Sequence, residues 1–255
     1  MGVIADSKVQ SHIQMPKCVL KRFENNSKRF YYYDVRKGII GSNGYAKSIN
    51  TVLGYYSQET EDYLRDYIET PFSELLCQID KIDFDALPFS VPPETDALVK
   101  RFVYALISRS PQMIDELNKQ SYFFKYLSTQ SQHNIAASEG IALAEKRNIL
   151  GDYFVTFAVN TTLMPFILPM CGLYNFKYNG IDTVFLPVSP QICIALVNKN
   201  GADFFIQNGA GIMLLVSDSF QATWFNKRAF SAQKKTNYGY VISPEKSAIE
   251  LCLEE

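Results

Sequence analysis

The feature that most constrains this chain is a change of hydrophobic period at Gly151. From Ser57 to about residue 148 apolar residues recur at helical spacing; beyond Gly151 come short β-rich runs separated by Gly, Pro and Asn. In the first part Tyr63, Leu64, Tyr67, Ile68, Phe72, Leu75, Leu76 and Ile79 form one stripe, with acids on the opposite face. Pro71 interrupts that stripe, so the helix kinks or restarts there with Thr70 as its cap. Glu94 to Ser108 is a second helix, and Gln112 to Leu127 and Asn134 to Asn148 are softer helical stretches. In the second part Tyr153 to Val159, Thr183 to Leu186, Ile192 to Val197 and Ile212 to Val216 read as strands. Ser219 to Ser231 reads as a helix and Tyr238 to Ile242 as a last strand. The aromatic run Arg29 to Tyr33 adds an N-terminal strand, followed by a turn-rich connection from Asp34 to Gly44. Segregated helices and strands predict an α+β fold, its helical first half packed on a mixed, mainly antiparallel sheet from the second half.

At 255 residues, with 47% hydrophobic and 14% aromatic side chains, the chain is long enough to bury a large core, and it reads as a single domain. The acidic, proline-rich stretch Asp83 to Pro93 is the best linker candidate. The formal net charge of −1 gives no bulk attraction to nucleic acid or membrane, but the charge is segregated. Residues 1–45 carry eight bases and three acids, whereas residues 51–100 carry eleven acids and three bases. The basic segment either meets phosphate or packs beside the acidic helix that follows it. Five scattered cysteines, with no C-x-x-C pair, read as free thiols of a reducing cytosol. Met1 to Pro16 has no apolar signal core, and the run Leu163 to Leu173 is too short and proline-broken to span a bilayer. A cytoplasmic protein without a membrane partner is expected. The sequence sets no oligomeric state.

One helix end stands out. The apolar run from Arg101 stops at Arg109-Ser110-Pro111, because proline disfavours helical geometry in the residue before it. Arg109 is thereby left in the last turn, where a cation complements the helix dipole.

Four blocks together resemble a bacterial family known only as a domain of unknown function (number 4238). They are Ser11-His12-Ile13-Gln14-Met15-Pro16 with Leu20 and Phe23; Tyr31-Tyr32-Tyr33-Asp34; Phe102 to Pro111; and Phe185-Leu186-Pro187-Val188-Ser189-Pro190, with Asn226 as a late asparagine. The family's corresponding motifs are His-Tyr-Val-Pro, Tyr-Asp, Arg-Thr-Pro and Pro-Leu-Ser-Pro. Two departures stand beside the likeness. His12 lies four residues before Pro16, one more than the family's spacing, and the stretch Phe154 to Asn160 keeps a threonine but lacks the family's aspartate. The resemblance implies a fold and no established activity.

Two functional readings follow. In the first, the protein is a nucleic-acid- or phosphoester-directed hydrolase in bacterial stress or phage defence, with His12 as base, Arg109 as anion clamp and Asn160 as positioning group. In the second, it is a non-catalytic binding or protein-interaction module that has lost the family's polar site. Lys227 and Arg228, with Lys234 and Lys235, lie near Trp224 and Phe225 and form a further anion-binding candidate of the kind that suits single strands. His133 sits in a polar Ser-Gln stretch, Ser189 reads as a turn residue rather than a nucleophile, and Asp152 belongs to the Gly151-Asp152 turn. Gly38, Gly41 and Gly44 precede no helix, and Gly201, Gly209 and Gly211 lack the Lys-Ser/Thr of a phosphate loop. No cofactor is evident, and two separated histidines without a cysteine cluster offer no metal-ligand set.

Overall fold

The segment Ile192–Asn198 shows how the molecule is layered. Ile192, Ile194 and Leu196 belong to one apolar cluster, Cys193, Ala195 and Val197 to another. Successive side chains of a strand point to opposite faces, so a strand that is apolar at every position needs cover on both. The structure, a computed structural model, describes residues 10–85, 92–178, 180–201 and 213–254. Part of the expected linker, Gly209, Gly211 and the first residue of the expected strand at Ile212 lie outside the described residues.

In chain order, β1 (Gln10–His12) and α1 (Lys17–Leu20) precede the hairpin β2 (Phe30–Asp34) and β3 (Ile39–Gly44), and β4 (Thr51–Leu53) returns to pair with β1. The helices α2 (Gln58–Tyr63), α3 (Thr70–Ile79), α4 (Thr95–Ser108), α5 (Pro111–Gln120) and α6 (Thr129–Arg147) follow. The second half supplies β5 (Tyr153–Asn160), β6 (Leu168–Pro169), β7 (Tyr174–Tyr178), β8 (Ile181–Pro187), β9 (Ile192–Asn198) and β10 (Met213–Val216). After them come α7 (Ser219–Thr236), β11 (Tyr240–Ser243) and α8 (Lys246–Leu253).

The fold is α+β. A five-stranded sheet in the order β10-β5-β9-β8-β7 is antiparallel except where β10 runs parallel to β5, so it is mixed and drawn wholly from the second half. Its one face carries Phe157, Leu186, Ile194 and Leu196 into a cluster with Phe72, Leu75, Phe102 and Leu106 of α3 and α4. Phe72 and Phe102 stack there with centroids 3.7 Å apart. The other face carries Ala158, Phe185 and Cys193 against Ala222, Phe225, Ala229 and Phe230 of α7. A separate four-stranded sheet, β3-β2-β11-β6, joins the N-terminal hairpin to the chain's end. The aromatic strand near residues 29–33 therefore does not extend the main sheet; β11 takes it up through the pairs Tyr33–Val241 and Tyr32–Ile242.

Three sequence expectations are corrected. The connection from Asp34 to Gly44 is mostly strand β3, and its glycines have different causes. Gly38 turns the hairpin at φ +67°, whereas a Cβ on Gly41 or Gly44 would lie 2.2 Å from the rings of Tyr32 and Phe30, which lie across them. At Pro71 the helix restarts as expected, but without the expected cap. A π-helical turn over Leu64–Glu69 runs straight into α3, accommodating the missing proline N–H near the new helix start, and Thr70 makes no cap bond. Finally, α5 ends at Gln120, seven residues short of the expected Leu127; Tyr122 to Leu127 forms a short knuckle closed by the Gln132 amide on the Phe124 and Leu127 carbonyls.

Candidate functional site

Arg109 occupies the position its helix-end signal assigns, closing α4 in a near-helical conformation. Ser110 then caps α5, its Oγ accepting from the Met113 N–H, and Pro111 opens the new helix. The guanidinium turns inward instead of toward the last carbonyls, and the residue is 4% exposed. Nη2 donates to the His12 carbonyl at 2.6 Å, Nη1 to Glu69 Oε1 at 3.1 Å and Nε to the Tyr56 hydroxyl at 3.3 Å. Burial works against this charge, but the Tyr56 and Glu69 contacts outweigh it and the side chain stays protonated. One side chain thus ties strand β1, the loop before α2 and the π turn to the end of α4. The basic N-terminal segment makes a second bridge of this kind, where Arg22 takes both carboxylate oxygens of Asp80 and donates to the Val188 carbonyl at 2.7 Å.

His12 meets Arg109 through its backbone. Its Nε2 donates to the Ala46 carbonyl at 2.8 Å, so the lone pair sits on Nδ1. Burial lowers its pKa below the ordinary 6.5, partly offset by the Ala46 bond and by Glu69, which leaves a neutral imidazole at pH 7. His133 is also lowered by burial, and its ring stacks on Tyr55 with centroids 3.8 Å apart.

Asn160 is elsewhere. It ends β5 on the side of the sheet that α7 covers, and its amide braces a loop. Nδ2 donates to the Met164 carbonyl at 2.6 Å, while Oδ1 accepts from the Thr162 N–H at 3.0 Å and hydroxyl at 2.8 Å. Asn226 braces the same loop from α7, accepting from the Ile167 N–H at 3.0 Å and donating to the Pro165 carbonyl at 2.8 Å. Ser189 accepts from the Gln191 and Ile192 N–H groups and closes a turn. The structure brings His12 and Arg109 together, but among the described residues Asn160 shares no hydrogen-bond partner with either.

Helix α7 presents its cations in the opposite manner. Ala222, Phe225, Ala229 and Phe230 face the sheet, while Lys227, Arg228, Lys234 and Lys235 are exposed. Asp218, whose side chain accepts from the Gln221 N–H to cap the helix, is the sole acid between Val216 and Tyr240. Glu250 on the neighbouring α8 is held by Lys246, and the Glu254 carbonyl accepts from Lys227 Nζ at 2.8 Å. A groove of about 280 Å³ runs beside α7, walled by Lys177, Tyr178, Leu215, Phe220 and Trp224. Lys177 and Leu215 come from the two outer strands of the five-stranded sheet, so the sheet curls around the helix. Phe220 is 82% exposed, and the Arg228 guanidinium lies 5.1 Å from the Trp224 ring and 5.9 Å from that of Phe176. Lys227, Ser231, Lys234 and Lys235 line a second, shallower depression farther along the helix.

Lys227, Arg228 and Trp224 are visible from sequence; Phe220 and Lys177 are not singled out there. Phe220, Trp224 and Arg228 recur every four residues, which puts them on one helix stripe and is the signal that finds Phe220. Lys177 arrives only through the curl of the sheet.

Among the described residues no group of three or more His, Cys, Asp or Glu side chains is placed to hold a metal ion, and no helix is long and apolar enough to cross a membrane. Burial pushes the thiols of Cys18 and Cys171 up to about 12, far from thiolate reactivity. Compared with protein-family models, curated proteins and solved structures, the chain matches none.

Proposed function

We propose that the protein is a non-catalytic binding module for single-stranded nucleic acid, with α7 and its groove as the contact surface. The observation that carries this reading is the aromatic–cationic stripe Phe220, Trp224 and Arg228, continued by Lys227, Lys234 and Lys235 on a helix face almost free of acids. Cations along a groove follow a phosphate backbone, and exposed rings supply faces on which bases of any sequence stack. The motif residues Arg109, Asn160, Ser189 and Asn226 fit this reading as braces of a scaffold.

Trp224 is the single tryptophan of the chain, so its fluorescence reports stacking directly. A short oligothymidylate should quench it, with an affinity that falls as salt rises. Replacing Arg228 and Lys234 together by alanine should flatten the salt dependence by about 1.4, at roughly 0.7 per phosphate contact on a single strand. Phe220→Ala should weaken binding roughly 5- to 150-fold, the equivalent of ~1–3 kcal/mol per stacked base. Absence of quenching at low salt, or binding indifferent to all three changes, overturns the proposal.

One observation favours the phosphoester-hydrolase reading. His12 is neutral at pH 7, with a free lone pair on Nδ1 and a ring close enough to Glu69 and Arg109 for both charges to act on it. A nuclease and phosphatase screen of the wild type against His12→Ala tests it: activity lost in the variant supports hydrolysis, whereas activity equal in both, or absent from both, supports the binding module.

A further inference from the structure

A second basic concavity lies where five segments meet, one of them the turn Tyr238 to Tyr240 that follows α7. It encloses about 420 Å³, within the usual ~300–1,000 Å³ of small-molecule sites, and Asn50, Arg36, Lys37, Pro111, Tyr55 and Tyr238 line it. The segments contribute different groups: two cations, a neutral amide, a helix N-terminus and a tyrosine wall.

The β2–β3 turn supplies two cations. Asp34 accepts from the backbone N–H groups of Arg36 and Lys37 at 3.0 and 3.1 Å, which fixes the turn and uses up Asp34 Oδ1. Lys37 Nζ stands 3.7 Å from the other Asp34 oxygen, while the Arg36 guanidinium has no hydrogen-bond or ion-pair partner among the described residues. Asn50 supplies a neutral donor. Its Nδ2 is buried and has no acceptor among the described residues, an unsatisfied state that buried amides rarely keep. Pro111 marks the start of α5, so the positive end of a ten-residue helix lies on the wall. Tyr238 makes the wall rigid: its hydroxyl accepts from Gln14 Nε2 at 3.1 Å and donates to Gln112 Oε1 at 2.9 Å.

We infer that this cleft binds a phosphomonoester. Two cations against one already-engaged carboxylate give it a positive balance, and a phosphate offers acceptor oxygens to Arg36, Lys37 and the orphaned Asn50 amide at once. The tyrosines leave room for a sugar or a flat ring attached to that phosphate. The site is separate from the nucleic-acid reading of α7 and stands without it.

Titration calorimetry with inorganic phosphate, a sugar phosphate and a nucleoside monophosphate tests the proposal, since the three share the head group and differ in the body. At least one phosphomonoester should bind more tightly than phosphate itself. Arg36→Ala, an exposed change that leaves the core alone, should weaken it roughly tenfold. Asn50→Asp should do the same, because aspartate tolerates the residue's φ of +53° but replaces the free donor with a repelling charge. The Arg228 and Lys234 alanine pair on α7 should leave this binding unchanged. The inference fails if no phosphomonoester binds at millimolar concentration, if none exceeds phosphate, or if binding ignores both cleft variants. It also fails if the loss follows the α7 pair, a result that would place the phosphate on α7 and leave the nucleic-acid reading standing.

Discussion

Arg109 and Arg228 are the same residue in opposite circumstances. Arg109 is buried against Glu69, Tyr56 and a backbone carbonyl, each of its three nitrogens engaged within the fold. Arg228 is exposed, with the rings of Trp224 and Phe176 beside it and its hydrogen-bonding edge open to solvent. A buried cation is held in place because leaving its partners unpaired is expensive, whereas an exposed one contributes little to folding and keeps its donors for a ligand. The contrast separates two tasks. The Arg109 region binds the molecule to itself, and the α7 face is a region with capacity left over.

The strongest way to break this contrast is to remove the buried cation. Arg109→Met should destabilise the protein by about 3 kcal/mol, at the lower end for a buried pair because Glu69 is itself 28% exposed. Urea unfolding measures this. Arg109→Lys sharpens the point, since a lysine would serve a helix end as well but cannot reach three acceptors in a plane; a loss of about 1–2 kcal/mol is expected. A lysine variant of unchanged stability would reduce Arg109 to a simple cap.

Next in size is the loop that Asn160 and Asn226 brace. Asn226→Ala strands the Ile167 N–H and the Pro165 carbonyl in a buried site, at a cost of about 2 kcal/mol. The same substitution should leave oligonucleotide binding intact once the protein is folded, because Asn226 faces inward from the helix whose outer face is charged. Loss of binding in a stably folded Asn226→Ala would move that asparagine from scaffold to site.

What the sequence could convey depended on the range of the interactions involved. The strand Ile192–Asn198 is legible because its burial on two faces is written into consecutive residues. The turn at Ser189 is legible for the same reason, its partners being three residues away or fewer. Strand β3 was hidden because glycines selected by the rings of Phe30 and Tyr32 look like turn glycines until the pairing is known. The partners of Arg109 lie 97, 53 and 40 residues away, so its charge was visible and its confinement was not. The exposed stripe on α7 lies between these cases: its spacing is local, but its groove needs both outer strands of the sheet.

A smaller effect probes the same buried region by pH. The folded-state pKa of His12 lies below 6.5, lowered by burial, so the unfolded chain takes up this proton first as pH falls. Its share of stability is whole above pH 6.5 and is lost as pH drops toward the folded value. His133 acts in the same direction, and Glu61, whose carboxyl burial raises above 4.5, acts in the opposite one. The informative quantity is therefore the difference between the wild type and His12→Gln, which keeps a donor for the Ala46 carbonyl. That difference should change through the window just below pH 6.5 and be flat above it. A difference that is flat throughout would mean that His12 titrates as freely as a surface histidine.

The smallest expected effect on folding is also the sharpest test of the comparison. Arg228→Glu with Lys234→Glu reverses two exposed charges that make no ion pair among the described residues, so stability should change by no more than about 0.5 kcal/mol for the pair. The same protein should lose most of its affinity for an oligonucleotide, since each reversed charge repels the phosphate it formerly attracted. Set beside Arg109→Met, this pair asks whether folding and binding cations are distinct sets. If the α7 reversal unfolds the protein as readily as loss of Arg109 does, exposure has been a poor guide, and the cations on α7 belong to the scaffold after all.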